Sequence, residues 1–141
     1  INITTKKINY CNGCEACLKT GTCNQYNDDA DDIVEKMINA DVIVMSTPVY
    51  FYSIDAQMKA LIDRTVSRYI EIKNKDFYFI LTAAVNDAKM LERTVECFRG
   101  YLDCLENPTE KGVVYGIGAW KVGEIKDTPA MNKAYEFGKN V

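Results

Sequence analysis

Three short apolar runs, Asp41 to Thr47 (DVIVMST), Asp76 to Ala84 (DFYFILTAA) and Gly112 to Gly118 (GVVYGIG), alternate with segments whose apolar residues recur at helical spacing. No other feature of the chain constrains its fold as much. A continuous run of β-branched and aromatic residues reads as a strand buried on both faces, the habit of a parallel sheet. The acidic stretch from Asp28 to Asp32 opens a helix whose Ile33, Val34, Met37 and Ile38 share one face. A second helix runs from Ser53 or Asp55 to about Tyr69, with Met58, Leu61, Ile62, Thr65 and Val66 on its apolar stripe. A third spans Lys89 to Leu105 and is stopped by Pro108, and Thr128-Pro129 opens a last one that ends near Gly138. With a β-leaning stretch from Ile1 to Ile8 at the front, the order is strand and helix in strict alternation. That order implies an α/β fold, a doubly wound parallel sheet with helices on both faces, in a single domain over residues 1–141. Ligands of such a fold sit at the carboxyl ends of its strands.

Composition removes whole classes of function. The 141 residues include no histidine, so no Ser-His-Asp triad, no Cys-His dyad and no His-ligated metal can be built. A net charge of −3 argues against nucleic acid or an anionic membrane surface as partner. No apolar run approaches the roughly 20 residues of a membrane span. Chemistry falls to Cys, carboxylates, Lys, Tyr, the backbone or a cofactor.

Four of the six cysteines, Cys11, Cys14, Cys17 and Cys23, fall in one loop with the spacing C-x2-C-x2-C-x5-C. Two successive x2 spacings place three thiolates on one side of a tight turn, and Gly21 lets the chain curl back to bring in Cys23. Such runs are typical of [4Fe–4S] ligation. A reduced, metal-free loop is the alternative; zinc sites more often join two separated pairs. The clustering, with no secretory signal, suits a reduced cytoplasmic setting. Cys97 and Cys104, two helical turns apart, read as buried structural residues.

The segment Thr47, Pro48, Val49, Tyr50, Phe51 leaves the carboxyl end of a strand. A proline followed by valine and aromatics makes a stiff apolar wall with backbone N–H groups at its edge, suited to a planar ring such as a flavin. The alternative is that the aromatics cap the core. Ala83, Ala84 and Val85 end the next strand with small residues, which admit a ligand close to the backbone or serve strand-to-helix packing. Trp120 reads as a loop residue that covers core, the alternatives being that it shields a cofactor edge or sits at a subunit contact. No Gly-rich or Ser/Thr-rich phosphate loop joins a first strand to a first helix, so that loop and the strand before it are expected upstream of Ile1.

The run Cys11-Asn12-Gly13-Cys14-Glu15-Ala16-Cys17, with Gly21-Thr22-Cys23, Asp28-Asp29, Ala40-Asp41 and Thr47-Pro48-Val49-Tyr50-Phe51, resembles the flavodoxin-like NAD(P)H-dependent FMN reductases, in particular their iron–sulfur flavoprotein branch. Gln57, Lys59, Asp63 and Arg64 match the family's Q-x-K-x-x-x-D-R helix, and Phe98-Arg99-Gly100 and Gly116-Ile117-Gly118-Ala119-Trp120 are similar too. The resemblance implies a sheet in the order 2-1-3-4-5, with the first strand missing from this chain. It implies FMN held by Thr47, Pro48, Val49, Tyr50 and Phe51 and supported by Ala83, Ala84 and Val85. It also implies NAD(P)H as co-substrate and a small-molecule acceptor or a redox protein as partner, in a homodimer or homotetramer. A cluster on Cys11, Cys14, Cys17 and Cys23 would lie close to the flavin and make the chain a one-electron carrier. A non-catalytic assembly domain is the third reading.

Overall fold

The computed structural model describes residues 1–141. Three parallel strands, β1 (Val42–Pro48), β2 (Asp76–Ala83) and β3 (Thr109–Ile117), form one sheet in the order β1-β2-β3. This is the 3-4-5 part of the expected order. Five α-helices accompany it: α1 (Cys17–Thr20), α2 (Ala30–Asn39), α3 (Ala56–Arg64), α4 (Glu92–Leu102) and α5 (Pro129–Lys139). No helix is long and apolar enough to cross a membrane.

One face of the sheet carries Ile43, Met45, Phe77, Phe79, Leu81 and Val113. It buries them against Ile33 and Met37 of α2, Met58 and Leu61 of α3, and Val95, Phe98 and Leu102 of α4. Phe79 and Phe98 stack at 4.7 Å between ring centroids near its centre. On the other face α5 lays Phe137 against Tyr78 at 5.3 Å. Gly112 makes this approach possible, because a Cβ there would stand 2.4 Å from the Phe137 ring.

Helix starts follow from capping chemistry. Asp55 Oδ1 accepts the Met58 N–H at 2.7 Å at the head of α3. Asp31 and Asp32 occupy the first turn of α2, where the macrodipole favours anions. Pro129 stands at the start of α5 as expected, but Thr128 does not cap it; its hydroxyl donates to the Ile125 carbonyl at 2.7 Å.

Several expectations need correction. Residues 1–8 form no strand. They carry a short 3-10 turn, Ile3–Thr5, and β1 pairs with β2 alone. An extended segment with no strand beside it has no ladder to join. The neighbouring N–H groups turn to carboxylates instead: Lys7 donates to Asp29 Oδ2 at 2.8 Å and Asn9 to Asp28 Oδ2 at 2.9 Å. The first apolar run is also not buried on both faces. Val44 is 54% exposed, because α5 covers the sheet at the β3 side and leaves the outer face of β1 open. The second helix ends at Arg64 and passes into 3-10 turns, Thr65–Ser67 and Tyr69–Glu71. The third begins with a 3-10 turn, Ala88–Leu91, and ends at Leu102, so Cys104 lies beyond it. Cys97 and Cys104 are exposed, not buried. Their thiols donate back to Arg93 O at 3.3 Å and Gly100 O at 3.5 Å, at the open edge of the groove between α3 and α4. Trp120 is 82% exposed, because Glu124 draws the Trp120 and Lys121 N–H groups to one carboxylate oxygen and turns the loop outward.

Candidate functional site

Two places carry the residues expected to do chemistry. The first is the carboxyl end of the sheet. Pro48 stands opposite Thr82 in the β1–β2 register, and the Val49 N–H donates to Thr82 O at 2.8 Å. Gly118, just past β3, donates to both Ala83 O and Val85 O, at 3.1 and 2.9 Å. The loops after all three strands are thereby held side by side. Gly118 is needed there: its φ is +76°, and a Cβ would meet Asn86 Oδ1 at 2.6 Å.

Within this end, residues 50–53 close a tight turn. Tyr50 N–H donates to Ser53 O at 3.1 Å and Ser53 N–H to Tyr50 O at 3.0 Å. The two central residues, Phe51 and Tyr52, have φ of +51° and +62°, the left-handed values of a mirror-image turn. Such turns favour Asn and Gly, and two aromatics in a row there are strained. The aromatics do not cap the core: Tyr50 is 61% exposed and Phe51 fully so. The Tyr52 ring lies 5.8 Å from the Arg93 guanidinium. Thr47, in contrast, is buried. Its hydroxyl donates to Pro48 O at 2.8 Å and accepts the buried Asp55 N–H at 2.9 Å. Its side chain supports the turn from beneath, and Pro48, Val49, Tyr50 and Phe51 make the open surface. Ala83, Ala84 and Val85 are half-buried at the adjoining strand end.

The second place is the cysteine loop. Cys11, Cys14, Cys17 and Cys23 line one pocket of about 180 Å³, together with Tyr26 and Arg64. Cys17, at the head of α1, is buried and the other three are more open. Burial pushes the Cys17 thiol up, and the three neighbouring thiols add to the effect. Gly21 ends α1 at φ +73° and turns the chain back toward Cys23, as the spacing required. No three of these thiols converge closely enough here to hold a single ion. A four-iron cluster takes one thiolate per iron and spreads them around a cavity, and four thiols on one pocket fit that donor pattern. None of the residues proposed to wall a flavin lines this pocket. Between α3 and α4 lie two grooves that share Ile62, Tyr101 and Cys104, one lined by Cys11 and the other by Ser53.

Sequence reasoning missed the ion pair beneath the loop. Arg64, the last residue of α3, meets Asp28 with both guanidinium arms, Nη1 to Oδ2 at 2.8 Å and Nη2 to Oδ1 at 3.0 Å. The side chains are 3% and 1% exposed. Burial alone would raise the Asp28 carboxyl, but donors from Arg64, Asn9 and Ala30 together outweigh it and hold the group well below the usual carboxylate range. The sequence offered both residues only as parts of separate motifs, Asp28-Asp29 and the Q-x-K-x-x-x-D-R helix, with nothing to pair them. The two lie 36 residues apart, beyond any spacing rule.

The sign of the pH effect follows. A carboxyl depressed in the folded state contributes stability above its unfolded value, roughly pH 4, and loses it as pH falls through the folded one. Unfolding midpoints in urea are expected to drop as pH is lowered below about 4, and less steeply in Asp28→Asn. Equal slopes in the two proteins would place the acid sensitivity elsewhere.

The family model for NADPH-dependent FMN reductase matches residues 2–110. An iron-sulfur flavoprotein of Archaeoglobus fulgidus is 32% identical, over 100% of this chain and 76% of its own length. A second iron-sulfur flavoprotein of that organism is 44% identical over 64 residues, 45% of this chain and only 29% of the relative. Among solved structures, an FMN-dependent NADH-azoreductase from Bacillus anthracis in complex with FMN superposes with a TM-score of 0.67 at 14% identity, covering 99% of this chain and 78% of that one. That likeness establishes the flavodoxin-like fold, which the parallel sheet and its flanking helices already display. With the match spanning more than half of its residues, the chain belongs to the NADPH-dependent FMN reductase family.

Proposed function

We propose that this chain is an FMN-dependent oxidoreductase that takes hydride from NAD(P)H and passes electrons to a small acceptor. The observation that carries this reading is the turn after β1. Phe51 and Tyr52 are both held at positive φ, and the Phe51 ring stands wholly in solvent. Strain of that kind, about 1–3 kcal/mol per residue, persists where a ligand or a mechanism needs it. Neither the Phe51 nor the Tyr52 N–H meets a backbone acceptor, which leaves both free for the polar edge of a flat ring. Pro48, Val49, Tyr50 and Phe51 would wall the isoalloxazine, and Ala83, Ala84 and Val85 would back it from the next strand. Bound FMN supplies two-electron acceptance from a nicotinamide, chemistry that asks the protein for stacking and orientation more than for an acid or base. This suits a chain without histidine.

Phe51→Ala tests the wall. The residue is fully exposed, so stability is expected to stay within about 0.5 kcal/mol of wild type. FMN affinity, read by quenching of flavin fluorescence, is expected to fall roughly tenfold with the loss of an aromatic face. Unchanged affinity would remove the turn from the flavin site.

A second reading rests on the pocket that all four loop cysteines line. Cys11, Cys14, Cys17 and Cys23 would hold a [4Fe–4S] cluster, which supplies one-electron steps and would make the protein a carrier between redox partners. Anaerobic purification is expected to yield about four iron and four sulfide per chain, lost in Cys14→Ser. Iron-free protein from anaerobic cells would leave a plain flavin reductase with an idle loop.

A further inference from the structure

The Asp28–Arg64 pair touches more than itself. Asp28 Oδ2 also accepts the Asn9 backbone N–H at 2.9 Å and the Asn9 side-chain amide at 2.8 Å, and Oδ1 accepts the Ala30 N–H at 3.2 Å. Arg64 Nη1 donates in addition to the Asn9 carbonyl at 3.1 Å, and its guanidinium lies 5.4 Å from the centre of the Tyr26 ring. Asn9 precedes the first cysteine by two residues and Asp28 follows the last by five. The pair therefore ties both ends of the cysteine loop to each other and to the end of α3.

The other ties of that loop are few: the Cys23 N–H donates to Asp31 Oδ2 at 3.2 Å, and α1 rests on the Thr65–Ser67 turn. Between residues 9 and 28 only Cys17 is buried, and α1 is a single turn. Both side chains are shielded from solvent, at 3% exposed for Arg64 and 1% for Asp28. Arg64 also lines the cysteine pocket itself, so the knot stands beside the thiols.

We propose that Asp28 and Arg64 are positioning residues that latch residues 9–28 shut and thereby hold the four thiols around one pocket. The latch works through geometry. A planar fork satisfies both carboxylate oxygens and the Asn9 carbonyl at once, which a lysine ammonium cannot reproduce. The fixed ends remove most of the entropy the loop would otherwise lose when its thiols gather on a ligand. Only the identity of what the thiols hold rests on the cluster reading above; closure of the loop does not.

The experiment uses the full chain with Asp28→Asn and, separately, Arg64→Lys. Amide hydrogen exchange is expected to accelerate at least about tenfold across residues 9–28, while β2 keeps its wild-type protection. After anaerobic reconstitution with ferrous iron and sulfide, the thiolate-to-iron absorption is expected to decay about 10- to 100-fold faster under a chelator than in wild type, the scale on which partners outside the ligand set act. Asn9→Ala removes one donor without stranding a charge, and is expected to give the same pattern more weakly, which keeps the test open if the other variants fold poorly. Unchanged exchange in the loop, or equal acceleration in β2, would overturn the latch. A loosened loop with an unchanged absorption lifetime would overturn the positioning role. Wild-type protein that takes up no iron would defeat the cluster reading instead, and exchange alone would then decide the latch.

Discussion

Phe98→Ala is expected to destabilise the protein by about 3–5 kcal/mol. Phe98 is fully buried on α4 and stacks on Phe79 of β2 at 4.7 Å, so truncation removes both a buried ring and its aromatic partner. The surrounding side chains come from the sheet and from three helices, which limits how far the site can collapse. Against a typical total of about 5–15 kcal/mol, that loss would unfold much of the population near growth temperature. Urea denaturation should show a lower midpoint with an unchanged slope. A loss below about 1 kcal/mol would mean that the sheet and α4 are not packed as described.

Thr47→Val is expected to cost about 1–3 kcal/mol although it keeps the shape of the side chain. The change strands the buried Asp55 N–H, which donates to Thr47 Oγ1 at 2.9 Å, and removes the bond to Pro48 O. Asp55 caps α3, so the start of that helix and the turn at residues 50–53 lose a shared anchor. FMN binding should weaken along with stability, in contrast to Phe51→Ala, where affinity falls and stability does not. Thr47→Ser keeps the hydroxyl and should recover most of the loss. If Thr47→Val is as stable as wild type, the hydroxyl is not the link between β1 and α3.

Much of the architecture was legible because it depends on local pattern. The runs VIVMST and DFYFILTA announce β1 and β2 by composition alone, and the stripe through Ile33 and Met37 announces α2. The cysteine spacing placed four thiols on one pocket, and Gly21 turned the loop as required. Residues 1–8 were misread because strand propensity has meaning only beside a partner strand. Cys97 and Cys104 are exposed because the helix ends at Leu102, before Cys104, and because a helical position alone does not decide which side faces the core.

The sequence by itself determined the alternating α/β order, the clustered thiols, the absence of histidine chemistry and the location of the aromatic turn after β1. Each is a property of neighbours along the chain. Only the tertiary structure decided that Thr47 supports the turn from below while Phe51 stands in solvent, because burial depends on what α3 lays over the strand end. Only the tertiary structure joined Asp28 to Arg64. Opposite charges pair by distance in space, and the fold of α3 onto the cysteine loop brings together two groups that no periodicity in the chain connects.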